Sequence, residues 1–135
     1  MTDSQRLLDA IVAGDLAEVA ALIASGIDVN AGHDSHLPPL FQAIEHHRVE
    51  IARRLIEAGA DVNRDSGNGW TPLVHAIDIE SDSAWQAHHE TGHESTDLSV
   101  MLLAAGAVPT RTAFDIAAEY SNSKALTLLE QAGQV

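Results

Sequence analysis

Residues 55–77 read LIEAGADVNRDSGNGWTPLVHAI, and this stretch decides the fold. It opens on the apolar Leu55-Ile56, passes through Gly59-Ala60-Asp61-Val62-Asn63, and returns to apolar sequence at Gly69-Trp70-Thr71-Pro72-Leu73. A glycine just past an apolar run is the residue that ends a helix in the left-handed region. A proline in the first turn of the next helix costs nothing, because its missing N–H would lack an intrahelical acceptor anyway. The Asp, Asn, Ser and Gly between them suit a tight turn. The stretch therefore reads as a helix end, a turn and a helix start.

The same reading recurs along the chain. When the sequence is laid over itself with Leu7 on Leu40 and Leu40 on Leu73, Ala10, Ala43 and Ala76 coincide, and then Ile11, Ile44 and Ile77. In the same register Leu22-Ile23 falls on Leu55-Ile56, and Gly26-Ile27-Asp28-Val29-Asn30 falls on Gly59-Ala60-Asp61-Val62-Asn63. A regular period of this kind marks stacked supersecondary units, each unable to bury its apolar face alone. Within the first unit, Leu7, Leu8, Ile11 and Val12 keep helical spacing up to Gly14-Asp15. Val19, Leu22 and Ile23 then form a second apolar stripe that Gly26 closes. Helices of about ten residues are marginal in water without neighbours.

With these residues in view, the chain resembles the ankyrin repeat family. That family's pattern is Gly-x-Thr-Pro-Leu-His, small residues, a Gly turn, an apolar second helix and Gly-Ala-Asp-Val-Asn. Gly69-Trp70-Thr71-Pro72-Leu73 and Gly59-Ala60-Asp61-Val62-Asn63 reproduce it, and Leu37-Pro38-Pro39-Leu40 is a degraded copy with Pro39 at the proline position. The resemblance runs from about Ser4 to Gly133. It implies an all-α solenoid of stacked helix-turn-helix units with short finger hairpin loops. We expect one domain over 1–135, with repeats at about 4–36, 37–69, 70–110 and 111–135.

Two departures stand out. One period past Gly59 predicts a closing glycine at position 92, but the matching Leu102-Leu103-Ala104-Ala105-Gly106 closes only at position 106. An insertion is therefore expected in the third unit, at roughly Ser81 to Ser95. The last finger is truncated, since Gly106 to Thr112 spans half the separation of Gly59 and Thr71.

The insertion contains His89-Glu90-Thr91-Gly92-His93, a literal H-E-x-x-H. In zinc proteases that spacing sets two histidines on one helix face, with the glutamate as general base. Here Gly92 interrupts the helix such a site needs, at about 1 kcal/mol relative to alanine. Glu94 and Ser95 follow the second histidine, and the chain offers no third ligand helix. The motif reads as part of a solvated polar loop, as does His33-Asp34-Ser35-His36 in the first finger. There is no cysteine and no Gly-x-Ser-x-Gly nucleophile elbow. We expect no enzyme and no cofactor; the alternatives are a metal-dependent hydrolase using His89, Glu90 and His93, or a structural adaptor.

Charge narrows the partner. Seven Lys and Arg stand against 20 Asp and Glu, a net charge of −13. Nucleic-acid affinity comes from cations that displace the phosphate counterions, so this balance argues against it. Between Arg64 and Arg111 no Lys or Arg occurs, while Asp65, Asp78, Glu80, Asp82, Glu90, Glu94 and Asp97 do. The expected partner is a protein with a basic surface, drawn in by electrostatic steering. The sequence shows neither a secretory leader nor a run of about 18 apolar residues, so a cytoplasmic monomer is the expectation.

The ankyrin resemblance also implies where binding occurs, because its finger tips and first helices line a concave face. The corresponding positions are Asp34 and Leu37, Glu45 and His46, then Trp70, Asp78 and Ile79, and finally Arg111, Glu119 and Tyr120. Trp70 and Tyr120 are the expected anchors, since aromatic side chains dominate interface energetics. A small, acidic, cysteine-free chain of this kind also suits an inhibitor or immunity protein that plugs the basic active site of a toxin.

Overall fold

The computed structural model describes residues 2–30, 38–86 and 97–132, and the backbone alone for 83–86. Eight helices occur among them: α1 (Asp3–Ala13), α2 (Leu16–Ala24), α3 (Pro39–Glu45), α4 (Val49–Glu57), α5 (Pro72–Gln86), α6 (Asp97–Ala104), α7 (Arg111–Glu119) and α8 (Ser123–Ala132). No strand is present among the described residues, and no described helix is long and apolar enough to cross a membrane. The described residues are all-α and built of paired helices, as the sequence leads one to expect. The chain forms two compact units, Met1–Asp61 and Val62–Val135.

In the first unit, α1 packs on α2 and α3, while α4 packs on α2 and α3. Thr2 opens α1 by accepting the Gln5 N–H at 3.1 Å, and Asp15 opens α2 by accepting the Glu18 N–H at 3.0 Å. Gly14, at φ 76°, ends α1, and a Cβ there would lie 2.9 Å from an Arg48 guanidinium nitrogen. Any side chain at position 14 would meet both a strained backbone and that cation. Arg48 Nη2 donates to the Val12 carbonyl at 2.6 Å, placing its positive charge on the C-terminal end of α1. Leu7, Ala10, Ile11, Val19, Leu22, Leu40, Phe41, Ala43, Ile44, Ile51, Ala52 and Leu55 are buried. The alanine and isoleucine positions that coincide from repeat to repeat are all core.

The two units use the same device to close a helix pair against the next turn. Asn30 Nδ2 donates to the Gly59 carbonyl at 3.1 Å, and Asn30 Oδ1 accepts the Asp61 N–H at 2.7 Å. In the second unit Asn63 repeats this with the Gly106 carbonyl at 3.1 Å and the Val108 N–H at 2.8 Å. The asparagine of each Asp-Val-Asn thus serves as a substitute peptide group, one donor and one acceptor on a single side chain.

In the second unit, α5 packs on α6 and α7, and α8 packs on α7 and α6. Leu73, Val74, Ala76, Ile77, Leu98, Leu102, Ala113, Ala117, Ala125 and Leu129 are buried. The first helix of the third repeat is the longest: α5 has 15 residues, against 11 in α1, 7 in α3 and 9 in α7. Residues 81–86, which the repeat register assigns to the insertion, continue this helix. The cause lies in Glu80 and Ser81, both buried, which find hydrogen-bonding partners on neighbouring elements. The remainder of the insertion, including His89, Glu90 and His93, lies outside the described residues.

Leu73 is 1 % exposed at the repeat position shared with Leu7 and Leu40. Leu73→Ala should therefore cost about 2–5 kcal/mol in chemical denaturation, the range for a buried leucine truncated without collapse of the site. A loss within about 0.5 kcal/mol, as at a surface position, would overturn the repeat register.

Candidate functional site

The predicted face residues sort by unit. Asp34 and Leu37 lie outside the described residues, as do His33 and His36. Glu45, the last residue of α3, and His46, its C-cap, are both exposed. The chain turns immediately after them through His47, whose φ of 55° is left-handed. The remaining candidates belong to the second unit.

Trp70 sits at the end of the finger turn. Asp65 Oδ1 accepts the N–H groups of Gly67 at 2.7 Å and Gly69 at 3.2 Å, which folds the tip as an Asx turn. The Ser66 N–H and hydroxyl both donate to the Trp70 carbonyl at 2.9 Å. Gly69 has φ 81°, where a side chain would be strained, and a Cβ on it would stand 3.0 Å from Thr112 Oγ1, which would have to give way. Trp70 is half-buried rather than exposed. Its indole N–H donates to His75 Nδ1 at 3.0 Å, with the two rings at 69°. The bond assigns the tautomer: neutral His75 accepts at Nδ1, so its proton is on Nε2. His75 itself is 7 % exposed, one residue beyond the place where the family pattern has its histidine and this chain has Val74. The indole N–H is therefore committed to His75 of α5.

Asp78 and Tyr120 come together. Asp78 is half-exposed on α5, and Tyr120 is the exposed C-cap of α7. The Tyr120 hydroxyl donates to Asp78 Oδ1 at 2.9 Å. That bond, together with partial desolvation and the negative charges of Asp78, Asp82 and Glu119, pushes the phenol up to about 12 from 10.0. Three carboxylates thus share the surroundings of one phenol. Glu119 is exposed, Ile79 is half-buried, and Arg111 is exposed in the first turn of α7.

Glu80 corrects the sequence reading of the acidic stretch. It is 1 % exposed and cannot contribute to steering. Its Oε2 accepts the Leu98 N–H at 3.0 Å, and its Oε1 accepts the Ser99 N–H at 3.1 Å and the Ser99 hydroxyl at 2.6 Å. Those two amides belong to the first turn of α6, which has no intrahelical acceptors for them. On the other flank, Asn122 Nδ2 donates to Ser81 Oγ at 2.8 Å, and Asn122 Oδ1 caps α8 at the Ala125 N–H, 3.0 Å away. Sequence reasoning missed Glu80, Ser81, Ser99 and Asn122. One signal was present: Glu80 stands two helical turns after Leu73 and one after Ile77, on the stripe that should be apolar.

Among the described residues no group of three or more His, Cys, Asp or Glu could hold a metal ion. What the second unit presents is a tyrosine bonded to one carboxylate, with the charges of two others acting on it.

The pair makes a testable electrostatic statement. Asp78→Asn should lower the ionisation of Tyr120 from about 12 toward 10, stopping short because Asp82 and Glu119 remain. Tyr120 is the single tyrosine of the chain, so phenolate absorbance reads it alone. The sign for stability follows from linkage. An unfolded phenol ionises near 10 and the folded one near 12, so the contribution of the pair is intact below pH 10 and fades between pH 10 and 12. An unshifted titration in the variant would show that the hydroxyl does not bond Asp78.

Comparison with known proteins agrees with this architecture. A family model described as ankyrin repeats (3 copies) matches residues 7–86. The mouse 2-5A-dependent ribonuclease is 37 % identical over 75 residues, 55 % of this chain and 10 % of that protein. Mouse protein phosphatase 1 regulatory subunit 27 is 36 % identical over 67 residues, 49 % of this chain and 44 % of that protein. The chicken nuclear factor NF-kappa-B p105 subunit is 35 % identical over 101 residues, 73 % of this chain and 9 % of that protein. The chain thus spans less than half the length of each of these relatives. Paired short helices, asparagine-closed turns and the match over residues 7–86 together mean that this protein belongs to the ankyrin repeat family.

Proposed function

We propose that the chain is a non-catalytic binding module whose partner is a protein with a basic surface. Ankyrin repeats are generally protein–protein interaction modules, and one relative carries the name of a phosphatase regulatory subunit, a protein that acts through another protein. The observation that carries the basic partner is the arrangement at Tyr120. Tyr120, 36 % exposed, bonds Asp78 through its hydroxyl, and the charges of Asp82 and Glu119 also act on it. Asp78 and Asp82 also fall in the stretch between Arg64 and Arg111 that holds no Lys or Arg. A guanidinium or ammonium group brought there gains carboxylate partners and an aromatic face at once.

In this reading Tyr120 is the anchor and Asp78, Asp82 and Glu119 steer. Ile79 adds half-exposed apolar area, and Trp70 extends the face toward the finger. Glu45 and His46, in the first unit, are a separate proposal that rests on the repeat pattern. An inhibitor that covers the basic active site of a toxin is the narrower form of this reading, and it rests on net charge alone.

The test is kinetic, on a partner recovered with the intact chain as bait. Asp78→Asn with Asp82→Asn should slow association at low salt and flatten its salt dependence, because rim charges act on encounter. Tyr120→Ala should chiefly speed dissociation, at a cost of about 2 kcal/mol or more if it is a hot spot. Association indifferent to salt, with normal binding by both variants, would reject this face as the binding site.

A further inference from the structure

From Leu73 to Ile77, α5 is held by buried apolar side chains. Beyond Ile77 three successive polar attachments take over. Asp78 accepts the Tyr120 hydroxyl, Glu80 accepts two backbone N–H groups and a hydroxyl from α6, and Ser81 accepts from Asn122 at the start of α8. At about 100° of rotation per residue, positions 78, 81 and 82 share one side of the helix, while 80 leaves it on the opposite side. Residues 78–81 of α5 are therefore bonded to α6 on one side and to the α7–α8 junction on the other.

The Glu80 attachment has a strict chemical requirement. A carboxylate has acceptors only, and here both of its oxygens face backbone N–H groups. An amide in its place must turn its NH2 toward either Leu98 N–H or Ser99 N–H, whichever way it flips. One buried donor would then be left facing another, which costs far more than an exchanged surface bond.

We propose that Glu80 is a positioning residue for the acidic face: by gripping the first turn of α6 it fixes the turn of α5 at residues 78–81, and with it the placement of Asp78 against Tyr120. The ends of α6 and α7 are thereby coupled through one helix, and any ligand of the Tyr120 face is coupled to the α5–α6 latch by the reciprocity of linkage. The inference rests on that face being the binding surface, but its test needs no partner. A failure of binding and a failure of coupling are thus read separately.

The experiment uses the intact chain labelled with 13C-tyrosine, whose single residue gives one signal set, together with amide exchange at Leu98 and Ser99. In Glu80→Gln, protection at those two amides should fall at least about tenfold relative to wild type, as expected for local opening. The Tyr120 ring signal should move toward its position in Asp78→Asn, and its ionisation should drop with it. Ser99→Ala removes only the hydroxyl donor, and should shift the same signals in the same direction by less. It carries the test if Glu80→Gln does not fold. Loss of protection at Leu98 and Ser99 with the Tyr120 signal unmoved would reduce Glu80 to a local helix cap and overturn the coupling. An unmoved Tyr120 signal in Ser99→Ala, with Glu80→Gln unfolded, overturns it equally.

Discussion

None of the eight described helices is long enough to hold its shape in water alone; the longest has 15 residues and the shortest 7. Their stability comes from the surfaces they cover, so apolar burial between adjacent helices is the condition on which everything else stands. That condition explains why alanine fills the repeated positions 10, 43 and 76, all nearly or wholly buried. Larger side chains would hold the helix pairs apart and lose the contacts that compensate for their length. It also explains the asparagine at 30 and again at 63, since a turn that leaves one helix pair must be tied to the next.

The third repeat meets the same condition in a different way. Its first helix runs past the apolar stripe, and polar side chains hold the turn that follows, with Glu80 on α6, Ser81 on Asn122 and Asp78 on Tyr120. Such bonds are directional where apolar packing is not, and each fails abruptly when a donor meets a donor.

Charge on this chain serves two separate ends. Glu80 is a carboxylate turned inward, satisfied by helix amides and removed from solvent. Asp78, Asp82 and Glu119 act on a phenol that they hold in its protonated form, in reach of solvent. Asp78 and Glu80 stand on the same helix with a single residue between them. Net charge alone cannot distinguish the two kinds, because it adds a structural anion to the steering ones.

The repeat itself was legible in the sequence. The recurring leucine, alanine and isoleucine positions, glycine after each second helix and proline at Pro39 and Pro72 are local signals, set by backbone conformation and helical period. They determine the all-α class, the helix pairs and most of the core, and Leu7, Ala43 and Ile77 are buried as their spacing demands. The pairing of Asp78 with Tyr120 was only half visible: both positions follow from the repeat pattern, but their bond joins distant parts of the chain and depends on how α5 lies against α7. Trp70 looked exposed by position and is half-buried, because His75 in the following helix accepts its indole N–H. Glu80 looked like one more surface acid, and its burial was decided by α6, whose first-turn amides lack acceptors of their own. Sequence dictates what a residue can donate, accept or bury within a few turns of its own helix. Which neighbour completes it, and so whether an acid steers a partner or caps a helix, is decided only when the helices pack.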